Sequence, residues 1–313
     1  MTKDIRISVH MLAKEDTALG HMMFKAAVQA VLGTQYAHQL VIVDNGCSPD
    51  IIGDIEKTVG QYSLTSVEIV KDGAKDFAAL RNRCLDLTAD ECTHFHWIDT
   101  DEVYPESSLQ RIKEIAVKHD PAAIMSYFTH FMIDPVTWQM QQEKTNFYKL
   151  HSGIRWELPV HEHLVGYDKK NVKASNAHYL HFGYIRPQWI QALKWLRYMV
   201  WEKGNANHYR EYYDDGWKKV VAYYSDTRNP NQCLEDRRDY CQKYTGKYPP
   251  AFLINLMDPW ASSRLTWDGW LEKVMSKEWE FWRQWQVKRT ELGSWKDTIG
   301  WACEQMGLQE KQS

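Results

Sequence analysis

The stretch Gln39-Leu40-Val41-Ile42-Val43-Asp44-Asn45-Gly46-Cys47-Ser48-Pro49 predicts a strand, a turn and the start of a helix in direct succession. Residues 39–43 are nearly all apolar, which is typical of a strand covered on both faces. Ser48 can cap a helix and Pro49 can occupy its first turn. A buried strand that leads directly into a helix is the repeating unit of α/β proteins.

The same alternation extends on both sides of this stretch. Further strands are predicted at 7–12, 67–70 and 94–98, and helices over 16–32 and from residues 49, 76 and 105. Four alternations with short connections predict an α/β fold with a mostly parallel sheet flanked by helices. Because such sheets bind ligands at the carboxyl ends of their strands, we expect the chemistry just after Leu12, Val43, Val70 and Ile98.

The pattern changes after Pro121. Residues 122–133, 146–150 and 154–164 are predicted to be extended and to add antiparallel strands to the sheet. From residue 187 onward, Trp, Tyr and Leu recur at helical spacing. We therefore predict an α/β domain over 1–186 and a helical, Trp-rich C-terminal region over 187–313. Packing is the simplest role for these tryptophans, and acceptor binding is the alternative.

Composition favours a cytoplasmic protein without membrane insertion. The formal net charge of −3 gives no general affinity for nucleic acid or for an anionic membrane. The six cysteines form no Cys-x-x-Cys pair, and the N-terminus resembles no secretory leader, so we expect reduced thiols. No stretch approaches 18 apolar residues, so no transmembrane helix is expected.

The central motif is Asp99-Thr100-Asp101, at the end of the strand predicted over 94–98. Two carboxylates one residue apart at a strand end can jointly hold a hard divalent cation through oxygen ligands. Such a cation stabilises a diphosphate as a leaving group. The alternative is a solvated turn after a strand.

Four other segments carry candidates for binding or catalysis. Asp44 leaves a buried strand and can accept hydrogen bonds from a base or ribose, or it can simply cap its own turn. An arginine of the helical segment 79–83, Ala-Leu-Arg-Asn-Arg, can bind a phosphate with its guanidinium group, or the segment can be a solvated helix face. Glu162 is a candidate general base, and a neutral imidazole in the segment 178–184 can complete a metal site. Ordinary hydrogen-bonded side chains are the alternative for these two.

Taken in order, six segments resemble those of the family 2 glycosyltransferases of the GT-A fold. The resemblance is closest to the cytosolic branch with helical C-terminal extensions. Segments 8–16, 41–50 and 80–83 resemble the family's first strand and loop, its Val-Asp-x-Gly-Ser-x-Asp segment and its Ala-Arg-Asn helix. Segments 97–102, 154–163 and 178–184 resemble its Leu-Asp-x-Asp-Glu, Trp-x-x-x-Val-His-Glu and His-x-Gly-Tyr segments.

The resemblance implies that residues 1–186 form a catalytic domain that binds a nucleotide sugar. It implies a metal-dependent hexosyltransferase that moves a sugar from a UDP-hexose to an acceptor hydroxyl, with inversion. The acceptor stays open among a glycan, a protein and a modified nucleic-acid base. The implied roles are donor binding by Lys14, Asp44, Arg81 and Asp99, Mn²⁺ or Mg²⁺ ligation by Asp99, Asp101 and His181, and catalysis by Glu162 as base with His161 orienting it.

Two other classes of protein are compatible with the same residues. His161, His163, His178 and His181 lie within twenty-one residues and, with Glu162, could build a zinc or two-metal hydrolase. The zincin spacing His-Glu-x-x-His is absent from this segment. The other alternative is a binding protein for nucleotides or carbohydrates that lacks turnover.

Overall fold

The computed structural model describes residues 4–186 except 16, 65 and 133, residues 241–275, and the single positions 190, 194, 284, 287, 288, 291 and 301. The predicted C-terminal region over 187–313 thus lies mostly outside the described residues, and its division from the first domain stays a prediction. No helix within the described residues is long and apolar enough to cross a membrane.

Helices and strands alternate through the first 120 residues, as the sequence predicts. The strands are β1 Ile7–Ala13, β2 Gln39–Asp44, β3 Ser66–Lys71, β4 His94–Trp97, β5 Glu102–Val103, β6 Ala123–Phe131, β7 Thr137–Lys149, β8 Arg155–Glu157, β9 His163–Val165, β10 Val172–His181 and β11 Gln242–Lys243. The helices are α1 Ala18–Leu32, α2 Pro49–Val59, α3 Phe77–Asp86, α4 Glu106–His119, α5 Pro250–Phe252, a π-helical turn Leu253–Met257, α6 Asp258–Ser263 and α7 Trp267–Val274.

The main sheet has the strand order β3-β2-β1-β4-β7-β6-β10-β5, and β11 pairs with β7. Strand β1 is parallel to β2 and β4, and β2 is parallel to β3. Strand β7 is antiparallel to both β4 and β6, so β6 and its parallel neighbour β10 run in the same direction as β1. Only β7 and β5 run the other way among the described strands of this sheet. The predicted α/β fold with a mostly parallel sheet and flanking helices is therefore confirmed.

The segments after Pro121 follow the prediction in part. Strand β6 matches the extended segment 122–133, but β7 begins at Thr137, well before the predicted 146. Within 154–164 the predicted extended conformation is confirmed in β8 and at the start of β9, but its predicted addition to the main sheet was wrong, because β8 and β9 form a separate two-stranded sheet. The turn between these two strands carries the candidate base Glu162.

Local sequence explains where the helices begin. The side chain of Asp76 accepts a hydrogen bond from the Ala79 amide at 2.9 Å and thereby caps α3. Thr17 caps α1 in the same way, through the Gly20 amide at 3.0 Å. Pro49 opens α2, but the preceding Ser48 makes no side-chain capping bond. Every residue of β2 is buried, as its apolar sequence predicts.

The described C-terminal helices pack against the end of the sheet that carries β10. The ring of Phe252 stacks on Phe182, with 3.9 Å between centroids. The indole Nε1 of Trp267 donates to the carbonyl of Ile185 at 3.2 Å. Since Phe182 and Ile185 directly follow β10, these contacts hold in place the chain segment that follows His181.

Candidate active site

The Asp99-Thr100-Asp101 segment follows β4 at the carboxyl edge of the parallel strands, as predicted. A tight turn follows, in which the Asp99 carbonyl accepts from the Glu102 amide at 3.0 Å. Glu102 then pairs with His181 in the β5–β10 ladder, and the Phe182 amide donates to the Asp101 carbonyl at 2.9 Å. This short antiparallel pairing brings His181 beside Asp101, although the two residues are far apart in sequence.

The Asp99 carboxylate accepts hydrogen bonds on both oxygens. Its Oδ1 accepts from Arg81 Nη2 at 2.9 Å and from the Trp97 indole at 2.8 Å. Its Oδ2 accepts from Lys144 Nζ at 2.9 Å. Burial raises the pKa of Asp99, but the positive charges of Lys144 and Arg81 outweigh this effect and hold the pKa well below its ordinary value. Asp99 is therefore a fixed carboxylate between two cations.

Arg81 connects Asp99 with the candidate base. Its Nη2 binds Asp99, and its Nε donates to Glu162 Oε1 at 2.6 Å. The guanidinium lies 3.7 Å from the ring centroid of Trp97 and 5.4 Å from that of Trp156. Arg81 is only 6 % exposed, so the alternative of a solvated helix face was wrong. Three candidates from distant parts of the chain thus meet in one hydrogen-bonded group.

The loop that carries Glu162 is anchored on α3. Asn82 exchanges two hydrogen bonds with the backbone of Trp156, each at 2.9 Å, and the Phe77 amide donates to the Pro159 carbonyl at 2.9 Å. Because α3 also carries Arg81, these bonds set the position of the loop relative to the guanidinium group. His161 lies in the same loop but is exposed and has a left-handed φ of 57°. Its predicted role beside Glu162 stays a prediction.

Asp101 and His181 form a second group next to the first. His181 Nε2 lies 3.5 Å from Asp101 Oδ1, and Arg186 Nη2 lies 3.8 Å from Asp101 Oδ2. Burial lowers the pKa of His181 to about 4, so the ring is neutral near pH 7. Burial raises the pKa of Asp101, but His181, Lys194 and Arg186 more than offset this and the pKa is lowered. The pair therefore presents a carboxylate and a neutral imidazole.

The Asp101 carboxylate and the His181 imidazole fit a divalent cation. A Cβ atom on Gly183 would lie 2.8 Å from His181 Cε1 and 3.0 Å from Asp101 Oδ2, so the absent side chain keeps this position open. Among the described residues, no group of three or more His, Cys, Asp or Glu side chains is arranged to hold a metal ion. Two protein ligands suffice for Mg²⁺-like sites that complete their coordination with substrate phosphates and water. The residues present therefore fit such a cation through Asp101 and His181.

Asp99 is less suited to metal ligation, because both of its oxygens already accept hydrogen bonds from Arg81, Trp97 and Lys144. Oδ1 accepts two of these hydrogen bonds and Oδ2 accepts one, so a cation shared with Asp101 would have to use the remaining acceptor position of Oδ2. Its role as a metal ligand stays a prediction.

Glu15 and Arg186 belong to the site but were not among the predicted functional residues. Glu15 Oε1 accepts from Thr100 Oγ1 at 2.8 Å and from Arg186 Nη2 at 3.2 Å. A Cβ on Gly20 would lie 1.9 Å from Glu15 Oε2, so a larger residue at position 20 would displace this carboxylate. Glu15 directly follows Lys14 in the loop after β1, where the edge rule for parallel sheets predicts ligands. That rule could have identified it.

Asp44 and Lys14 lie in the neighbouring loops after β2 and β1. Asp44 Oδ1 accepts from the amides of Gly46 and Cys47 at 2.9 and 2.7 Å, so this oxygen caps its own turn. Gly46 has a φ of 108°, and Lys14 Nζ lies 4.0 Å from the point that a Cβ atom would occupy if this residue had one. Lys14 thus reaches the Asp44 turn, and donor binding by these two residues stays a prediction.

The four histidines that suggested a hydrolase do not come together. His163 is exposed on β9, with Nε2 3.6 Å from Glu157 Oε2. His178 stacks on Tyr127 at 5.3 Å, whereas His181 stacks on His130 at 4.6 Å. His161 is exposed in the loop before Glu162. The described positions therefore give no support to a multi-histidine metal centre.

Comparisons with known proteins add little beyond this geometry. No protein-family model matches the chain, and no curated protein matches its sequence. Solved structures that resemble it include S. aureus TarS 1-349 in complex with UDP-GlcNAc (12 % identity, 44 % of this chain, 40 % of that chain, TM-score 0.34). S. aureus TarS 1-349 alone matches at 10 % identity over 72 % of this chain and 74 % of that chain, with TM-score 0.40.

A third resembling structure is the 4-diphosphocytidyl-2C-methyl-D-erythritol synthase of Anaerococcus prevotii. It matches at 10 % identity over 46 % of this chain and 71 % of that chain, with TM-score 0.35. The match to the TarS complex with UDP-GlcNAc spans about two fifths of the length of that TarS chain. At these scores the conclusions about function depend on the residues of this chain alone.

Proposed function

We propose that this protein is a glycosyltransferase that takes a hexose from a nucleotide diphosphate sugar, with UDP as the expected nucleotide. The observation that carries the proposal is the convergence of Arg81, Asp99 and Glu162 beside the pair Asp101–His181. All five residues were selected from sequence motifs, and they meet at the edge of the sheet where α/β folds bind ligands. An unrelated set of polar residues would not be expected to meet in this way.

The donor lies across the carboxyl ends of β1, β2 and β4. Asp44 and Lys14 contact the nucleoside side of the donor, and the buried guanidinium of Arg81 faces its phosphates. Asp99 holds that guanidinium in place through its 2.9 Å hydrogen bond. Binding energy is thus provided by groups that are positioned before the donor arrives.

Glu162 is the general base for the acceptor hydroxyl. Arg81 engages its Oε1, and Oε2 takes the acceptor proton as the hydroxyl oxygen attacks the anomeric carbon. One displacement on the face opposite the departing diphosphate inverts the configuration at that carbon. The link from Glu162 through Arg81 to Asp99 fixes the orientation of the Glu162 carboxylate relative to the donor. A base that is held in place in this way lowers the entropic part of the activation barrier.

Asp101 and His181 would hold Mn²⁺ or Mg²⁺. When bound there, the cation would stabilise negative charge on the diphosphate leaving group. His161 lies in the loop of Glu162 and orients that loop or contacts the diphosphate. The acceptor stays open among a glycan, a protein side chain and a modified base.

The test is UDP binding with and without Mn²⁺, measured by isothermal titration calorimetry. Wild-type protein is expected to bind UDP more tightly when Mn²⁺ is present. Asp101→Ala removes the cation's carboxylate ligand, so we expect the added affinity from Mn²⁺ to disappear. Turnover is then sought with UDP-hexoses and a panel of acceptors.

Asp54→Ala is the matched control. Asp54 lies on α2, and its carboxylate pairs with Lys25 at 2.8 Å and His21 at 2.9 Å, both of which lie on α1. This variant should keep the Mn²⁺ effect. An equal response to Mn²⁺ in wild type and Asp101→Ala would remove Asp101 from the cation site. Absence of any nucleotide binding by wild type would reject the proposed function.

A further inference from the structure

Lys144 places an ammonium group in the candidate site from the antiparallel strand β7. Its Nζ lies 2.9 Å from Asp99 Oδ2, 2.6 Å from Glu102 Oε1 and 4.0 Å from the ring centroid of Trp97. The Lys144 side chain is only 17 % exposed, and that of Glu102 is 3 % exposed. A lysine this enclosed keeps its charge because two carboxylates and an aromatic face surround it.

The position of β7 explains how Lys144 reaches the motif. Strand β7 pairs antiparallel with β4 through His96 and Phe147. Since these two strands run in opposite directions, residues of β7 that precede Phe147 lie beside the residues that follow β4. Lys144 therefore comes level with Asp99 as a consequence of strand register.

Lys144 and Arg81 divide the two oxygens of Asp99 between them. Arg81 binds Oδ1 and Lys144 binds Oδ2. A carboxylate held at both oxygens cannot turn toward a cation beside Asp101 without breaking one of these contacts. The second aspartate of the motif lies in different surroundings, with His181 Nε2 3.5 Å from its Oδ1 and Arg186 Nη2 3.8 Å from its Oδ2.

We propose that Lys144 is a positioning residue of the donor site, which holds the Asp99 carboxylate against Arg81 and keeps it away from the cation at Asp101 and His181. This inference rests on the proposed function. In this arrangement Asp99 orients Arg81 and Lys144, the two cationic side chains that face the donor, and Asp101 and His181 bind the divalent cation.

The proposal predicts effects of opposite sign in Lys144→Met. Loss of the ammonium removes positive charge near the donor phosphates and frees Asp99 to move, so UDP binding without metal should weaken about tenfold. The same change removes a positive charge near the cation site and frees Asp99 Oδ2. Mn²⁺ binding without nucleotide should therefore become about tenfold tighter. General damage to the fold would weaken both.

Both affinities are measured on the full-length protein, UDP by calorimetry and Mn²⁺ by electron paramagnetic resonance of the free ion. Lys149→Met is the matched control. Lys149 lies on the same strand and pairs with Asp120 at 2.9 Å, and its side chain is 41 % exposed. The control should bind UDP and Mn²⁺ as wild type does.

Lys144→Met leaves two carboxylates without their shared cation and can therefore destabilise the fold. At pH 8, where Glu102 is mostly ionised, Lys144→Met with Glu102→Gln removes one charge of each sign, and we expect the same two changes of affinity in this double variant. Thermal unfolding is recorded for each protein. If neither variant folds, Lys144 serves the fold and the proposal is overturned.

The outcomes separate this inference from the proposed function. Weaker UDP binding together with tighter Mn²⁺ binding supports the role of Lys144, and any other combination overturns it. If wild type binds Mn²⁺ but no UDP, the proposed function fails and the Mn²⁺ measurement alone decides about Lys144. If wild type binds neither, both proposals fail.

Discussion

Gly183→Ala tests the proposed cation site at Asp101 and His181 by adding one methyl group between these two side chains. The new Cβ would lie 2.8 Å from His181 Cε1, 2.9 Å from His181 Nε2 and 3.0 Å from Asp101 Oδ2. Ordinary van der Waals contacts at such a position are 3.4 Å or longer. The backbone at Gly183 is not left-handed, since the described glycines with positive φ are Gly46 and Gly166, so the effect is steric.

The methyl group has two ways to be accommodated. Either His181 rotates away from Asp101, or the methyl stays between them, and in both cases the two ligands no longer share a cation. Loss of ligand geometry of this kind lowers metal affinity by about 10- to 100-fold. The overpacking itself should reduce the free energy of unfolding by about 1–3 kcal/mol.

Mn²⁺ affinity of the Gly183→Ala variant is measured by paramagnetic resonance, and stability by urea unfolding. Gly53→Ala is the control, because a Cβ there meets nothing within 4 Å and Gly53 lies inside α2. It should gain about 0.5–1 kcal/mol of stability and bind Mn²⁺ normally. A Gly183→Ala protein that is destabilised but binds Mn²⁺ with wild-type affinity would show that the cation lies elsewhere.

Two further predictions concern the base and the dependence on pH. Glu162→Gln should keep UDP binding and reduce turnover by about 10²-fold or more, whereas Glu157→Gln in the exposed end of β8 should be neutral; normal turnover in the first variant would exclude Glu162 as base. Burial lowers the pKa of His10 and of His96 from 6.5 to about 3, so the unfolded chain binds more protons below pH 6.5 and the free energy of unfolding should fall as the pH drops toward 4. Burial raises the pKa of Glu102 from 4.5 to about 7, and this one group opposes the decrease, whereas His181, with its pKa lowered to about 4, adds to the effect of His10 and His96. Urea unfolding at pH 7, 6 and 5 that showed a constant or rising free energy of unfolding would contradict the lowered pKa values of these histidines.

The parallel half of the sheet was predictable because each of its elements is specified locally. Residues 39–43 form β2 with every position buried, and Asp76 caps α3 through its own side chain. Strand, turn and helix signals there lie within a few residues of one another. The carboxyl-edge rule then placed Asp99, Asp101 and Asp44 at the same edge of the sheet without any knowledge of tertiary contacts.

Strand β7 could not be found in the same way. Its sequence, Thr-Trp-Gln-Met-Gln-Gln-Glu-Lys-Thr-Asn-Phe-Tyr-Lys, has no sustained alternation of apolar and polar residues. Its partners β6 and β4 supply the pairing, and the register with β6 shifts at two places. The position of Lys144 beside Asp99 follows from that register, so sequence alone could not connect the two residues.

The environment of Arg81 also depends on distant residues. Its position within α3 was predicted, but its burial comes from Trp97 and Trp156, which reach it from β4 and β8. Leu158 has a left-handed φ of 72°, a conformation that a residue with a bulky apolar side chain rarely adopts unless the surrounding structure imposes it. The strain therefore reports that the loop of Glu162 is fixed from outside, by its bonds to α3.

The two aspartates of the central motif serve two neighbouring groups of residues. Asp99 contacts Arg81, Trp97 and Lys144, whereas Asp101 contacts His181 and Arg186. Thr100 lies between them and donates to the buried carboxylate of Glu15 at 2.8 Å. Because Glu15 is held against Gly20 at the start of α1, this hydrogen bond fixes the turn of the motif to the body of the domain. The separation of the two carboxylates is thereby set by the fold, so the hydrogen-bonded group of Arg81, Asp99 and Glu162 lies beside the pair Asp101–His181.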